Sequence, residues 1–300
     1  MIYIITKDIF MDSQDLEITK MEFQLLKESK SVLSAALLIE DIYEILISNY
    51  TEFEKEIMNL SVENLVRQKH LYTEAFEIRS ILNRRMINLM ASIRLYIDSV
   101  SHHISENFQT HISDDFIIKD LFKREYENNQ YYRFMEMLRN YSQHYGLPIQ
   151  HVTINTKRVE NNDSYLIELS IHISSIKELL MKDKKTKKTV IEEFDGNIDL
   201  KTAIRNYIQS ISLVHCEIRE IISKPVNECI LNIKRAQNKH KSKFKGNVDY
   251  IEAQQLSDES EIIDKVPLLL EWESMRQNLI SRNKRLANLN KMYISGLLRN

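Results

Sequence analysis

Apolar residues recur at three- and four-residue intervals over most of this chain, and polar stretches break that rhythm at only a few points. From about Asp15 to Leu60 the positions Leu33, Leu37, Ile42, Ile45 and Leu46 fall at helical spacing without a glycine or proline, which predicts one or two long amphipathic helices. A second long helix is expected from about Tyr72 to Asn107. Ser113-Asp114-Asp115 can cap the next helix, and the polar run Glu127-Asn128-Asn129-Gln130 separates it from a helix over Tyr131 to about Tyr145. Together these make a four- or five-helix up-and-down bundle. Gly146-Leu147-Pro148 should end its last helix, the glycine as a left-handed cap and the proline as a block to continuation.

The period then changes from helical to alternating. Val152 and Ile154, then Leu166, Ile167, Leu169, Ile171 and Ile173, flank the polar turn Glu160-Asn161-Asn162-Asp163-Ser164 and read as a β-hairpin, the one convincing strand pair. A basic connector, Met181 to Lys188, leads to a helix capped by Asp199 and reaching Ser223. Pro225 opens or kinks the next segment, to about Phe244. A polar loop from Lys245 to Asp258 precedes a closing helix from about Val266 to Leu298, carrying Leu269, Trp272, Leu279, Leu286 and Leu289. The fold class is thus mainly α, with a helical bundle over 15–148 and a β-hairpin plus helical C-terminal region over 149–300.

Composition agrees with that reading. Only 4 Gly and 3 Pro occur in 300 residues, against roughly 36 at average usage, so few positions break a helix or demand positive φ. The formal net charge of -2 excludes a generally polycationic protein and leaves any nucleic-acid contact to a local basic patch. No run approaches the roughly 20 apolar residues of a membrane span, and Met1-Ile2-Tyr3-Ile4-Ile5-Thr6 lacks a basic leader, so a cytoplasmic protein with no membrane partner is expected. Cys216 and Cys229 stand thirteen residues apart on a predicted helical stretch, about 20 Å along a straight helix and too far to bridge.

The chemistry concentrates in Arg139-Asn140-Tyr141-Ser142-Gln143-His144. Arg139 can grip phosphate oxygens in a bidentate fork. His144 carries an imidazole, the side chain suited to act as base or acid near neutral pH, close to the end of its predicted helix. Asn140 lies four residues before His144 and on the same helical face, where its amide could orient the ring or hold a phosphate oxygen. These groups suffice to cut RNA through its own 2′-hydroxyl without a metal or cofactor: a base for that proton, an acid for the leaving 5′-oxygen, and positive charge on the transition state.

An Arg, a polar residue and a His five positions on resembles the signature of the HEPN superfamily. The aromatic lead Tyr131-Tyr132-Arg133-Phe134-Met135, the following Gly-Leu-Pro, and Arg94-Leu95-Tyr96-Ile97-Asp98 on the preceding long helix are similar to the setting of that motif in a subset of the family. The resemblance implies a HEPN-like bundle, an endoribonuclease with catalytic Arg139, Asn140 and His144, and supporting positions Arg94, Asp98 and Tyr132. Five residues turn a helix by about 140°, so Arg139 and His144 point apart. A homodimer that faces two motif helices across one cleft, as the family does, answers that geometry. Bacterial relatives serve in toxin–antitoxin and antiphage systems, so an antitoxin or other inhibitor is an implied partner. The alternative is a non-catalytic HEPN-like helical protein that binds nucleotide, RNA or a protein partner.

Other positions weigh less. Lys184, Lys185, Lys187 and Lys188 could contact RNA phosphates, but no aromatic platform is interleaved with them and a solvated connector explains them equally. Arg235 to His240 repeats the Arg–His spacing with the aliphatic Ala236 after the arginine, and should be catalytically silent. Asp98 and His102 share a helix face, yet no third ligand has metal-site spacing. His215-Cys216 diverge by about 100° on a helix and read as structural.

Overall fold

The computed structural model describes all residues except 10–11, 68–71, 113–115, 162–163, 246–249 and 295–300. In chain order the elements are β1 (Ile2–Ile9), β2 (Asp12–Ser13), β3 (Leu16–Glu17), α1 (Lys20–Arg67), α2 (Tyr72–Asn107), α3 (Phe116–Asn128), α4 (Gln130–His144), β4 (His151–Asn161), β5 (Ser164–Ser175), α5 (Lys177–Lys182), α6 (Lys188–Glu192), β6 (Ile198–Asp199), α7 (Leu200–Phe244), β7 (Ile251–Leu256), β8 (Ile262–Pro267) and α8 (Glu271–Arg282). The protein is mainly helical with small antiparallel sheets. None of the described helices is long and apolar enough to cross a membrane.

Two compact units emerge, each assembled from three stretches of chain. The first comprises Met1–Glu44, Tyr96–Ile117 and Glu217–Lys284. Its sheet runs β2-β1-β7-β8, with β3 also paired to β1. Sequence reasoning sees neither strand of the central pair: β1 begins in the opening hexapeptide and β7 lies inside the expected polar loop. The β1–β7 register, Ile2↔Leu256 to Lys7↔Ile251, is fixed by burial of Ile4, Ile5, Ile251 and Ala253. Glu252, Gln254 and Gln255 have little β preference of their own, so the strand forms by pairing, not propensity. Helix α1 begins at Lys20, not Asp15, because Thr19 and Glu22 form a reciprocal cap. The Thr19 N–H donates to Glu22 Oε2 (2.7 Å) and the Glu22 N–H donates to Thr19 Oγ1 (3.1 Å). Arg219 donates to both oxygens of the fully buried Glu40 at 2.8 and 2.6 Å and to the Asn283 carbonyl at 2.7 Å.

The expected helix over Val266–Leu298 is replaced by β8, the short α8 and an irregular stretch. Pro267 ends β8, and acidic Glu271 and Glu273 open α8. The Asn283 carbonyl is taken by Arg219 as α8 stops, so side-chain bonding substitutes there for another helical turn. Leu298 lies outside the described residues, as does the Ser113-Asp114-Asp115 cap.

The second unit comprises Ile45–Leu95, Ile118–Cys216 and Arg285–Asn300. Phe53, Leu82, Met86, Leu89, Phe134, Leu138, Ile204, Ile208 and Ile211 are among its fully buried side chains. The hairpin forms as expected, with β4 and β5 in antiparallel register from His151↔Ser174 to Asn161↔Ser164 and β6 added beyond β5. β4 is the outer strand of this sheet, and its Lys157 and Arg158 are exposed. The basic connector carries two short helices, α5 and α6. Asp199 caps α7 as expected, its Oδ2 accepting from the Thr202 N–H at 3.1 Å. Pro225 neither opens nor breaks a segment: it is buried inside α7, which runs unbroken to Phe244. A proline removes only one helical N–H, and burial of its neighbours Ile222, Val226 and Cys229 outweighs that loss.

Candidate functional site

Helix α4 is amphipathic and fixed at both ends. Tyr132, Phe134, Met135, Met137 and Leu138 are buried, while Asn140, Gln143 and His144 are exposed. The separator between α3 and α4 shrinks to one residue, Asn129, whose Oδ1 accepts from the Tyr131 N–H (2.9 Å) and the Tyr132 N–H (3.4 Å). Its Nδ2 donates to Ser210 Oγ on α7 at 2.9 Å. Arg133 donates from one side of its guanidinium to the Tyr126 and Glu127 carbonyls that end α3, at 2.8 and 2.7 Å. From the other it meets Glu193 at 2.9 and 2.6 Å. That carboxylate raises the pKa of Arg133 further.

The other end stops by a different device from the expected left-handed glycine. Among the described residues no glycine has positive φ. A side chain on Gly146 would place its Cβ 2.5 Å from Tyr141 Oη, so the residue is small because a tyrosine ring passes over it. Beyond it, Asn83 of α2 accepts from the Ile149 N–H and donates to the Ile149 carbonyl, both at 2.9 Å and buried. Ser175 Oγ donates to the Pro148 carbonyl at 2.7 Å, and Gln150 Nε2 donates to Tyr141 Oη at 3.3 Å. The motif helix therefore ends on a backbone held by the Asn83 and Ser175 side chains.

Arg139 is half-buried and turned along its own helix. One Nη donates to Asn140 Oδ1 at 2.6 Å and the other to Gln143 Oε1 at 3.3 Å, and its buried Nε has no hydrogen-bond partner among the described residues. It forms no ion pair there with Glu136 or Glu125. His144 is the last residue of α4, exposed and without a hydrogen bond among the described residues, its ring 5.8 Å from that of Tyr145.

A pocket of about 180 Å³ opens on the same side of α4. Asn140, Glu136 and Tyr141 line it from that helix, with Tyr126, Tyr145, Lys185 and Lys187 around them. The lysines get there because Thr186, between them, is buried and donates to the Leu180 carbonyl at 2.6 Å, while Asp183 Oδ1 accepts from the Lys185 N–H at 2.8 Å. Lys185 Nζ stands 5.0 Å from the Tyr145 ring centroid. Lys187 Nζ stands 5.6 Å from that of Tyr126 and donates to its hydroxyl at 3.3 Å. Sequence reasoning finds the lysines and misses the aromatic platform, since the tyrosines reside on α3 and at the end of α4. The available signal was Tyr141 and Tyr145, spaced i, i+4 through the motif itself. Lys184 and Lys188 are exposed and lie outside the pocket lining.

Beneath the pocket, the buried Tyr207 of α7 donates its hydroxyl hydrogen to Glu136 Oε1. Burial, then the Glu136 and Tyr132 charges, push the Tyr207 pKa well above its ordinary value, with the Arg139 cation opposing. Tyr132, a proposed supporting residue, is buried edge-on to Tyr207 with ring centroids 4.8 Å apart. Burial first, then the Glu136 and Glu125 charges, raises its pKa too, while Arg94 opposes. Its part here is packing. Asp98 is exposed and belongs to the first unit.

The histidines of the Arg235–His240 and His215-Cys216 motifs fall into the core. His240 is buried, with Nε2 2.9 Å from the Gln14 carbonyl, and His215 is fully buried. Cys216 and Cys229 are in no disulfide among the described residues. No protein-family model matches the chain, and comparison with curated proteins and with solved structures returns no significant match.

Proposed function

We propose that the protein is a metal-independent endoribonuclease of HEPN type, acting through Arg139, Asn140 and His144 at a site shared between two copies of the chain. The carrying observation is the exposed, unpartnered His144 imidazole, one helical turn from an Asn140 whose amide is oriented by Arg139 at the edge of a lysine–tyrosine pocket. In this reading an imidazole takes the proton of the RNA 2′-hydroxyl as that oxygen attacks the adjacent phosphorus. A second protonated group delivers a proton to the departing 5′-oxygen, and arginine carries the charge that builds on the phosphoryl oxygens. One chain offers one such imidazole, and the second comes with the second copy. The resemblance further implies a growth-arrest or antiphage effector held in check by an inhibitor protein.

The test is cleavage of RNA by purified protein. His144→Ala should cut at least about 100-fold more slowly, the usual contribution of a general acid or base. Cleavage should continue in EDTA and leave a 2′,3′-cyclic phosphate with a free 5′-hydroxyl. A His144 variant that cuts at the parental rate, or a strict divalent-ion requirement, removes this reading. The second reading, a protein that binds RNA or nucleotide without cutting it, draws on Arg139 being turned onto its own helix instead of toward open space. It predicts RNA binding with no cleavage at any protein concentration.

A further inference from the structure

The pocket beside the motif has uncommitted polar atoms of defined sign. Glu136 spends one carboxylate oxygen on Tyr207, and its other oxygen has no protein partner among the described residues. Asn140 faces Arg139 with its carbonyl oxygen, because a guanidinium only donates, so its amide NH2 is the end left over. Tyrosine rings form the walls, and two ammonium groups without carboxylate partners among the described residues stand over them. The pocket therefore presents an acceptor, a donor, flat aromatic surface and two positive charges in about 180 Å³. That is small beside the roughly 300–1,000 Å³ of pockets for drug-sized ligands and suits a single base.

We infer that this pocket binds a guanine nucleotide, with the base between the tyrosines and its phosphate at Lys185 and Lys187. Guanine sets two adjacent N–H donors, N1–H and the 2-amino group, beside its O6 acceptor. A carboxylate oxygen accepts from those donors, and the Asn140 NH2 donates to O6. Adenine would turn the N1 lone pair toward the Glu136 carboxylate, and uracil and cytosine lack the paired donors. Stacking on tyrosine and the lysine charges favour every nucleotide alike. Selection thus rests on Glu136. The inference rests on the ribonuclease reading for its ligand being RNA, and adds which base the site holds next to the motif.

Calorimetric titration of the whole protein with the four nucleoside 3′-monophosphates tests it. Guanosine 3′-monophosphate should bind at least about tenfold more tightly than each of the other three. Glu136→Gln keeps an oxygen for Tyr207 but turns an amide donor toward the base, and should abolish the preference while circular dichroism stays parental. Lys185→Ala with Lys187→Ala should weaken all four nucleotides together and leave their ranking intact. Equal affinities, absence of binding, or a guanine preference that survives in Glu136→Gln would each overturn the inference. If RNA is cut but guanosine monophosphate does not bind, the pocket assignment fails and the ribonuclease reading stands. If the nucleotide binds as described and RNA is never cut, the ribonuclease reading fails and the pocket assignment stands.

Discussion

Asn83→Ala separates the positioning of the motif helix from its chemistry. Asn83 makes no hydrogen bond to the motif among the described residues, yet its amide satisfies both backbone groups of Ile149, five residues past His144, with two buried hydrogen bonds of 2.9 Å. Alanine leaves that N–H and carbonyl without partners in a region where Ile149 itself is fully buried. Each buried orphan costs about 1–3 kcal/mol, so about 2–6 kcal/mol follows if the segment stays in place. The third bond of Asn83, to the Arg79 carbonyl at 2.9 Å, adds little, being a second bond within the helix. A lower figure arises if the Pro148–Gln150 stretch lifts away so that water serves Ile149. In that case the loss moves from global stability to local order at the end of α4. Urea unfolding followed by circular dichroism measures the first outcome, and amide exchange at Ile149 and Gln150 the second. RNA cleavage should fall in either case, since His144 hangs from the loosened end. A variant with parental urea midpoint, parental exchange and parental cleavage would refute the view that this asparagine holds the site.

Other expectations follow from the same geometry. His240→Ala should keep the cleavage rate within about threefold but lower stability by about 1–3 kcal/mol, because a buried ring hydrogen-bonded to the Gln14 carbonyl is lost; calorimetry and kinetics on one preparation check both. Sedimentation should give twice 35.7 kDa, and a strict monomer that still cuts RNA at micromolar concentration would end the shared-site argument. The Glu22 carboxyl is held below its ordinary range by its bond from Lys239 and by the Thr19 N–H of the cap. A lowered folded value means that this contribution is full above the unfolded pKa of about 4.5 and is lost as pH falls through the folded one. Glu22→Gln, which preserves the cap, should therefore be less stable than the parent at neutral pH and equal to it in acid, as read from unfolding midpoints between pH 7 and 2.

What the sequence discloses here depends on whether an element carries its own signal. α2 and the β4–β5 hairpin declare themselves by period, and the start of α4 by the polar run Glu127–Gln130 before it. β7 does not, since Glu252, Gln254 and Gln255 have little strand preference and are held by pairing with β8 and with β1, the latter more than 240 residues away in the chain. The end of α8 is equally hidden: Leu279, Leu286 and Leu289 keep helical spacing, but the carbonyl of Asn283 is claimed by Arg219 from another helix. At the site, Arg139, Asn140 and His144 stand on one helix and were legible as a motif. The pocket was not, because Tyr126, Glu136 and Lys185 come from separate elements, and no local pattern ties a tyrosine on α3 to a lysine beyond α5.

The outer position of β4 has a bearing on how the protein behaves in concentrated solution. Across eleven paired positions its inner side is spent on β5, while its other side offers a ladder of amide groups to any extended chain that approaches. Val152, Ile154 and the exposed Ile167 of β5 would suit such an adhesion. Lys157 and Arg158 interrupt the ribbon with like charges, so two molecules brought together edge to edge repel one another. These two residues thus act against precipitation: their replacement by threonine would shorten the shelf life of a stock solution.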